Sequence, residues 1–260
     1  MSWLAVILLA IVEGLTEFLP VSSTGHMILV SSVLGIENQP FVQHYQIIIQ
    51  FGAILSVIFL YWEKFKSWNP LYLKIFVAFL PTALIGFLFK SSFESLLGSP
   101  LVVSVSLIVG GIVFIVMERH FRDSDLKIKI EDLTFKHCVY LGLFQCFALI
   151  PGVSRAGATI LGALFLKMTR KDAAEFSFFL AVPTLAAASL YKTAKALPEI
   201  DSSQILFILV GSLISFFVAM GAIKFFVHWV VRSGFTFFGW YRIVLGFIFL
   251  FYLYGPQFST

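Results

Sequence analysis

The sequence predicts an all-α polytopic membrane protein, an inverted repeat of two halves, each with one re-entrant helix hairpin and three transmembrane helices. Three observations predict it. Of 260 residues, 59% are hydrophobic and 12% charged, against roughly a quarter charged in soluble domains, and mean hydropathy is +0.96. Uncharged runs such as LVVSVSLIVGGIVFIVM (101–117) supply the ~20 apolar residues a spanning helix needs, where a β-barrel would show short alternating segments. Two polar interruptions, EGLTEFLPVSSTGHM (13–27) and PGVSRAGAT (151–159), break apolar stretches in corresponding places.

Taken in order, residues 2–18 form an apolar helix that Pro20 and SSTG break, and HMILVSSVLG is only about half a span. The pair therefore reads as a re-entrant hairpin. Irregular backbone at membrane depth is tolerated only when buried in protein or facing a water-filled cavity. Three spans follow at about 46–62, 73–90 and 101–118. The second half repeats the plan: residues 138–149, broken by PGVSRAG, return through ATILGALFL, and spans follow at about 175–191, 204–222 and 238–254. GLTEFLPVSSTGHMIL (14–29) aligns with GLFQCFALIPGVSRAGATIL (142–161), placing Glu17 opposite Gln145. One integral membrane domain, 1–260, is expected, with repeat one at about 1–125 and repeat two at about 130–260.

Three spans per half make the halves antiparallel, an architecture in which broken helices meet near the midplane. Loops 63–74, 119–137, 167–172 and 223–236 hold 13 Lys/Arg, while the opposite face holds Lys90, Lys192 and Lys195. The positive-inside rule makes the first face cytoplasmic. Both termini then lie outside, and the first hairpin enters from outside. MSWLAVILLAIVEG lacks the basic start and cleavage site of a signal peptide. Cys138 and Cys146 form neither a disulfide framework nor a metal-ligand pattern and read as core. The net charge of +4 comes mostly from loops, which speaks for topology rather than for nucleic acid. No Walker A loop and no H-E-x-x-H pattern is present, leaving ATP hydrolysis and zinc chemistry without support.

Ionisable groups inside a membrane are functional candidates by default. Glu13 and Glu17 are spaced i, i+4 and share a helix face, where two carboxylates need an arginine, a metal ion or a shared proton. Ser22, Ser23 and Thr24 stand at the start of the next helix. Singly they would be N-caps, but free N–H groups there also make an anion site. With His26 in the same hairpin, they assemble the parts for nucleophilic displacement with acid–base help. Arg155 supplies the opposite sign, a fork that binds phosphate oxygens in pairs. Arg242, in GWYRIVLG, reads either as a second phosphate ligand or as a residue reaching to the interface. His120, His137 and His228 lie near basic loop ends, and His44 and Glu175 begin spans. Together these features imply a substrate that is both phosphorylated and lipid-like.

EGLTEFLPVSSTGHM and PGVSRAGAT together resemble the two signatures of the bacterial undecaprenyl-diphosphate phosphatase family, also called bacitracin-resistance proteins. The similarity extends over the whole chain, through EFSFFLAVPT and YRIVLG. The resemblance implies a hydrolase of the bacterial cytoplasmic membrane that removes the terminal phosphate of undecaprenyl diphosphate, regenerating the lipid carrier for peptidoglycan synthesis. It points to Glu13 and Glu17 as the acidic pair and to Ser23 as nucleophile beside Ser22 and Thr24. His26 would be acid/base, and Arg155 would hold the diphosphate with Ser154, Thr159 and Arg242. It also implies a divalent cation, Mg or Ca, which Glu13 and Glu17 could help bind. Where the family usually has Ser after the motif arginine, this chain has Ala156, which removes one hydrogen bond to phosphate. Activation of Ser23 by His26 or by Glu17 stays open, as does His26 as the nucleophile through phosphohistidine. The expected site opens to the outer side, and a homodimer is one assembly the sequence leaves open. Inverted repeats with midplane hairpins also describe transporters, so a polyprenyl-phosphate flippase is the alternative function.

Overall fold

The computed structural model describes residues 1–66, 70–97, 99–121 and 126–254. Its helices are α1 (Trp3–Thr16), α2 (Ser23–Val33), α3 (Pro40–Leu60), α4 (Trp62–Lys66), α5 (Leu71–Leu88) and α6 (Lys90–Leu97), followed by α7 (Pro100–Phe121), α8 (Phe135–Cys146), α9 (Arg155–Phe165), α10 (Arg170–Ala196), α11 (Ser202–Ser233) and α12 (Thr236–Tyr254). No strand occurs among the described residues beyond one isolated bridge, Ile128 to Met168. Helices α3, α5, α7, α10 (with its 3₁₀ extension) and α11 are long and apolar enough to cross a membrane, and α12 adds 19 residues of apolar helix. Apolar side chains such as Leu84, Phe87, Phe217 and Phe251 point outward, as a lipid-facing surface requires. The chain is a multi-pass α-helical membrane protein.

Helix boundaries depart from the hydropathy pattern where polar residues ride on a helix. The span expected from 46 begins at Pro40, which suits the first turn because its missing N–H would be unpaired there. Gln43, Gln46 and Gln50 lower the hydropathy of that stretch without breaking it. Likewise α11 continues to Ser233, carrying Lys224, His228 and Arg232 past the expected end.

The four hairpin arms contain 14, 11, 12 and 11 residues. At 1.5 Å per residue they reach about 16–21 Å, short of the ~30 Å hydrocarbon core. None can cross alone. Each arm packs on its mate, α1 on α2 and α8 on α9; α1 also packs on α11, and α8 on α5. The remaining broad contacts are α7 on α12, α3 on α11 and α3 on α10. Small residues allow the close approaches: a Cβ on Gly14 would lie 2.7 Å from the Ser215 carbonyl oxygen of α11, and one on Gly142 would overlap the Ala78 carbonyl of α5. Gly14→Ala is therefore expected to cost about 1–3 kcal/mol through overpacking, read as a lower thermal midpoint in detergent. Gly221→Ala, with open space at that position inside α11, should leave the midpoint unchanged or slightly raised.

Ion pairs with buried carboxylates fasten the end that carries the basic loops. Arg170 donates to Glu118 at 2.7 and 3.1 Å, tying α10 to α7, and Lys64 reaches Glu175 at 2.8 Å, tying α4 to α10. Glu175 is thus a structural partner, and His44 stands 3.6 Å from Glu199 on the opposite side.

Candidate active site

The two hairpin breaks are built alike. At the first, Ser22 caps α2, its Oγ accepting the Gly25 N–H at 3.3 Å; at the second, Ser154 caps α9 and accepts the Gly157 N–H at 3.1 Å. Both serines have positive φ, 70° and 74°, a conformation that costs a non-glycine residue about 1–3 kcal/mol and persists only where the surroundings enforce it. The breaks bring Ser23 and Arg155, the first residue of each returning helix, to one carboxylate. Ser23 Oγ donates to Glu17 Oε2 at 2.7 Å, and Arg155 Nη2 donates to Glu17 Oε1 at 2.9 Å. Arg155 Nη1 donates to the carbonyl and hydroxyl oxygens of Ser177 at 3.0 and 3.4 Å. The guanidinium also lies over the Phe18 ring, 5.5 Å from its centroid. Glu17, at the centre, is 5% exposed.

Glu17, Ser23, Ser154 and Arg155 line a cavity of ≈160 Å³ together with Ser22, Thr24 and Gln50. Thr24 and Gln50 also line an adjoining space of ≈450 Å³, which contains Glu13 and runs along Gln43 and Gln46 of α3 to Glu37 and Lys192. The glutamine stripe is a feature sequence reasoning missed. Its signal was present in QHYQIIIQ, at i, i+3 and i+7, the spacing of one helix face. Ser177, in the middle of α10, gave no such signal.

The fold thus brings Glu17, Ser22, Ser23, Thr24, Ser154 and Arg155 to one cavity, with Glu13 on the adjoining space. Three other expected residues line neither space. Thr159 is fully buried and its hydroxyl donates to the Arg155 carbonyl at 3.0 Å, the usual back-bond of a helical threonine. Arg242, expected as a phosphate ligand or an interface residue, lies outside the cavity around Glu17. It is fully buried, and its guanidinium donates to the carbonyls of Pro20, Gly152, Val153, Ser106 and Leu107 at 2.9–3.5 Å. It joins both hairpin breaks to the middle of α7. His26, expected as acid/base or nucleophile, has both ring nitrogens engaged elsewhere: its Nδ1 stands 2.8 Å from the Ser22 carbonyl oxygen and its Nε2 2.6 Å from the Tyr241 hydroxyl.

A model of the family described as bacitracin resistance protein BacA matches residues 6–248. The chain belongs to that family. Relatives named undecaprenyl-diphosphatase align along nearly the whole chain. The protein from Bdellovibrio bacteriovorus is 56% identical over 255 residues, covering 98% of this chain and 97% of the relative. That from Persephonella marina is 47% identical, covering 95% and 97%, and that from Flavobacterium johnsoniae is 44% identical, covering 96% of both. The matched region includes both hairpins, so the BacA family model spans the whole constellation around Glu17.

Proposed function

We propose that this chain hydrolyses undecaprenyl diphosphate to undecaprenyl phosphate and inorganic phosphate, returning the lipid carrier to peptidoglycan synthesis in the bacterial cytoplasmic membrane. The family and the printed names of its relatives support the reaction, and one structural observation carries it. Of the seven buried side-chain atoms that lack a hydrogen-bond partner among the described residues, two of opposite character, Glu13 Oε1 and Arg155 Nε, belong to residues that line these two spaces. Arg155 shares the smaller cavity with the Ser23 hydroxyl, and Glu13 lines the adjoining larger space. A diphosphate would offer anionic oxygen to Arg155, and a counter-cation would offer positive charge to Glu13.

In this reading Ser23 Oγ attacks the terminal phosphorus while Glu17 takes its proton. The Oγ–P bond forms, the bond from that phosphorus to the bridging oxygen breaks, and prenyl monophosphate leaves. Water attacks the phosphoserine, Glu17 returning the proton to Ser23, and inorganic phosphate departs. Arg155 and the N–H groups at the starts of α2 and α9 hold the anionic oxygens, the preorganised stabilisation that dominates phosphoryl transfer. The prenyl tail lies among the apolar helices outside the cavity. The unpartnered Glu13 oxygen and the oxygen-only donor set fit a hard divalent cation. No group of three His, Cys, Asp or Glu able to hold a metal occurs among the described residues, but Mg²⁺ is ordinarily held by one or two carboxylates together with substrate phosphates. Glu13 and Glu17 would hold such an ion, which would supply positive charge to neutralise phosphate oxygens.

The same proposal places both termini and the site's mouth on the outer side. The larger space reaches Lys192 and Glu37, at the end with few basic residues. The inverted-repeat reading gains support from the exchanged pairings of α1 with α11 and α8 with α5. Purified protein in detergent should release phosphate from undecaprenyl diphosphate, faster with Mg²⁺ than with EDTA. Glu13→Gln should weaken the response to Mg²⁺ by roughly tenfold or more, in line with the loss of a metal-site contact. Transbilayer lipid movement by the protein in vesicles without any phosphate release would overturn hydrolysis in favour of transport.

A further inference from the structure

The reaction above leaves His26 and Tyr241 unused, although both ring nitrogens of this buried imidazole are engaged. A carbonyl oxygen only accepts, so the contact from Nδ1 to the Ser22 carbonyl, at 2.8 Å, places a proton on Nδ1. In the neutral ring Nε2 is then an acceptor, and the Tyr241 hydroxyl at 2.6 Å donates to it. The two rings lie nearly parallel, 4° apart with centroids 5.6 Å apart. A histidine held in this way has no free nitrogen to take the Ser23 proton or to attack phosphorus.

We propose that His26 and Tyr241 are a positioning pair: Tyr241 fixes the imidazole tautomer, and Nδ1–H holds the Ser22 carbonyl so that Ser23 stays aimed at Glu17. This rests on the reading of Ser23 as nucleophile. The Ser22 carbonyl belongs to the peptide joining Ser22, at φ 70°, to Ser23, so its orientation sets where the Ser23 side chain points. It receives the His26 backbone N–H at 3.2 Å as well as the ring. The second break shows why the first needs this hold. Ser154 keeps the same positive φ four residues before Ala158, which has no side-chain donor. There Arg242 grips two carbonyls, of Gly152 and Val153, whereas at the first break it grips only that of Pro20.

The test measures kcat and KM for phosphate release from undecaprenyl diphosphate by His26→Ala, His26→Asn, His26→Gln, Tyr241→Phe and the His26→Asn/Tyr241→Phe double variant. An asparagine amide N–H sits where Nδ1 sits, and a glutamine amide sits where Nε2 sits. His26→Ala should lower kcat about 100-fold, the scale of an ångström-size misplacement, with KM little changed. His26→Asn should recover activity to within about tenfold of wild type, because one neutral hydrogen bond decides it. His26→Gln should not recover. Tyr241→Phe should cost about three- to tenfold, and should cost nothing further in the His26→Asn background, where no ring nitrogen remains to couple to it. If His26→Asn is as inactive as His26→Ala, or if Tyr241→Phe is silent in wild type or additive in the double variant, the pair is overturned. Thermal unfolding shows which variants fold; if His26→Ala does not, the contrast between Asn and Gln carries the test. An active Ser23→Ala variant overturns the nucleophile reading whatever the histidine variants do. An inactive one beside an inactive His26→Asn overturns the positioning pair alone.

Discussion

Ser23→Ala is expected to abolish phosphate release, by at least roughly 10³-fold in kcat, while retaining binding of the diphosphate lipid. Ser23 Oγ is the hydroxyl bonded to Glu17, at 2.7 Å, and the guanidinium of Arg155 shares the same carboxylate. Removing the hydroxyl deletes the attacking atom and leaves the Glu17–Arg155 pair intact. Glu17→Gln should be more damaging. It removes the base, and it strands Arg155, whose side chain is 9% exposed, as a buried cation without its carboxylate. Breaking a buried pair from one side costs about 3–5 kcal/mol, so this variant should lose both turnover and thermal stability, where Ser23→Ala loses only turnover. Single-turnover phosphate release, thermal unfolding and lipid binding on the two purified variants separate these outcomes. Retained turnover in Ser23→Ala would remove serine from the reaction. Unchanged stability in Glu17→Gln would mean that Arg155 is compensated elsewhere.

Much of this site could be read from the chain because its chemistry is out of place locally. Glu13, Glu17 and Arg155 interrupt apolar sequence, and Pro20 with the Ser–Gly clusters cannot continue a helix, so hairpins and a charge pairing follow from short segments. What stayed hidden depends on contacts between distant segments. Tyr241 meets His26 across 215 positions, and Arg242 meets Pro20 across 222. Neither a tyrosine nor an arginine near the start of an apolar helix says locally that it will face a hairpin break. His26 looked catalytic for the same reason: an imidazole beside serines is a familiar parts list, and only its two partners reveal that both nitrogens are occupied. The glutamines of α3 were overlooked because hydropathy averages over a helix, whereas their shared face is visible only in its periodicity. Hydropathy also cut α11 short, because a helix continues past the membrane wherever its backbone bonds do.

Arg242→Lys is expected to impair both folding and catalysis, although it preserves the charge. The guanidinium holds five carbonyls, from both hairpin breaks and from α7. An ammonium has only three donors on a single nitrogen, so at least two carbonyls would lose this partner. Leaving a buried polar group unpaired costs about 1–3 kcal/mol each, which predicts a loss of about 2–6 kcal/mol for two. Catalysis should suffer because Pro20 and Val153 immediately precede the segments that place Ser23 and Arg155; relaxing either break moves nucleophile and phosphate ligand apart. The same outcome should be reachable without touching the arginine. A Cβ on Gly110 would overlap Nη2 of Arg242, so Gly110→Ala should displace the fork from its carbonyls and lower both the thermal midpoint and kcat. If Arg242 instead served as a phosphate ligand, Arg242→Lys would raise KM with stability unchanged, and Gly110→Ala would not share its phenotype. Thermal unfolding in detergent and steady-state kinetics on these two variants decide between a clamp and a ligand.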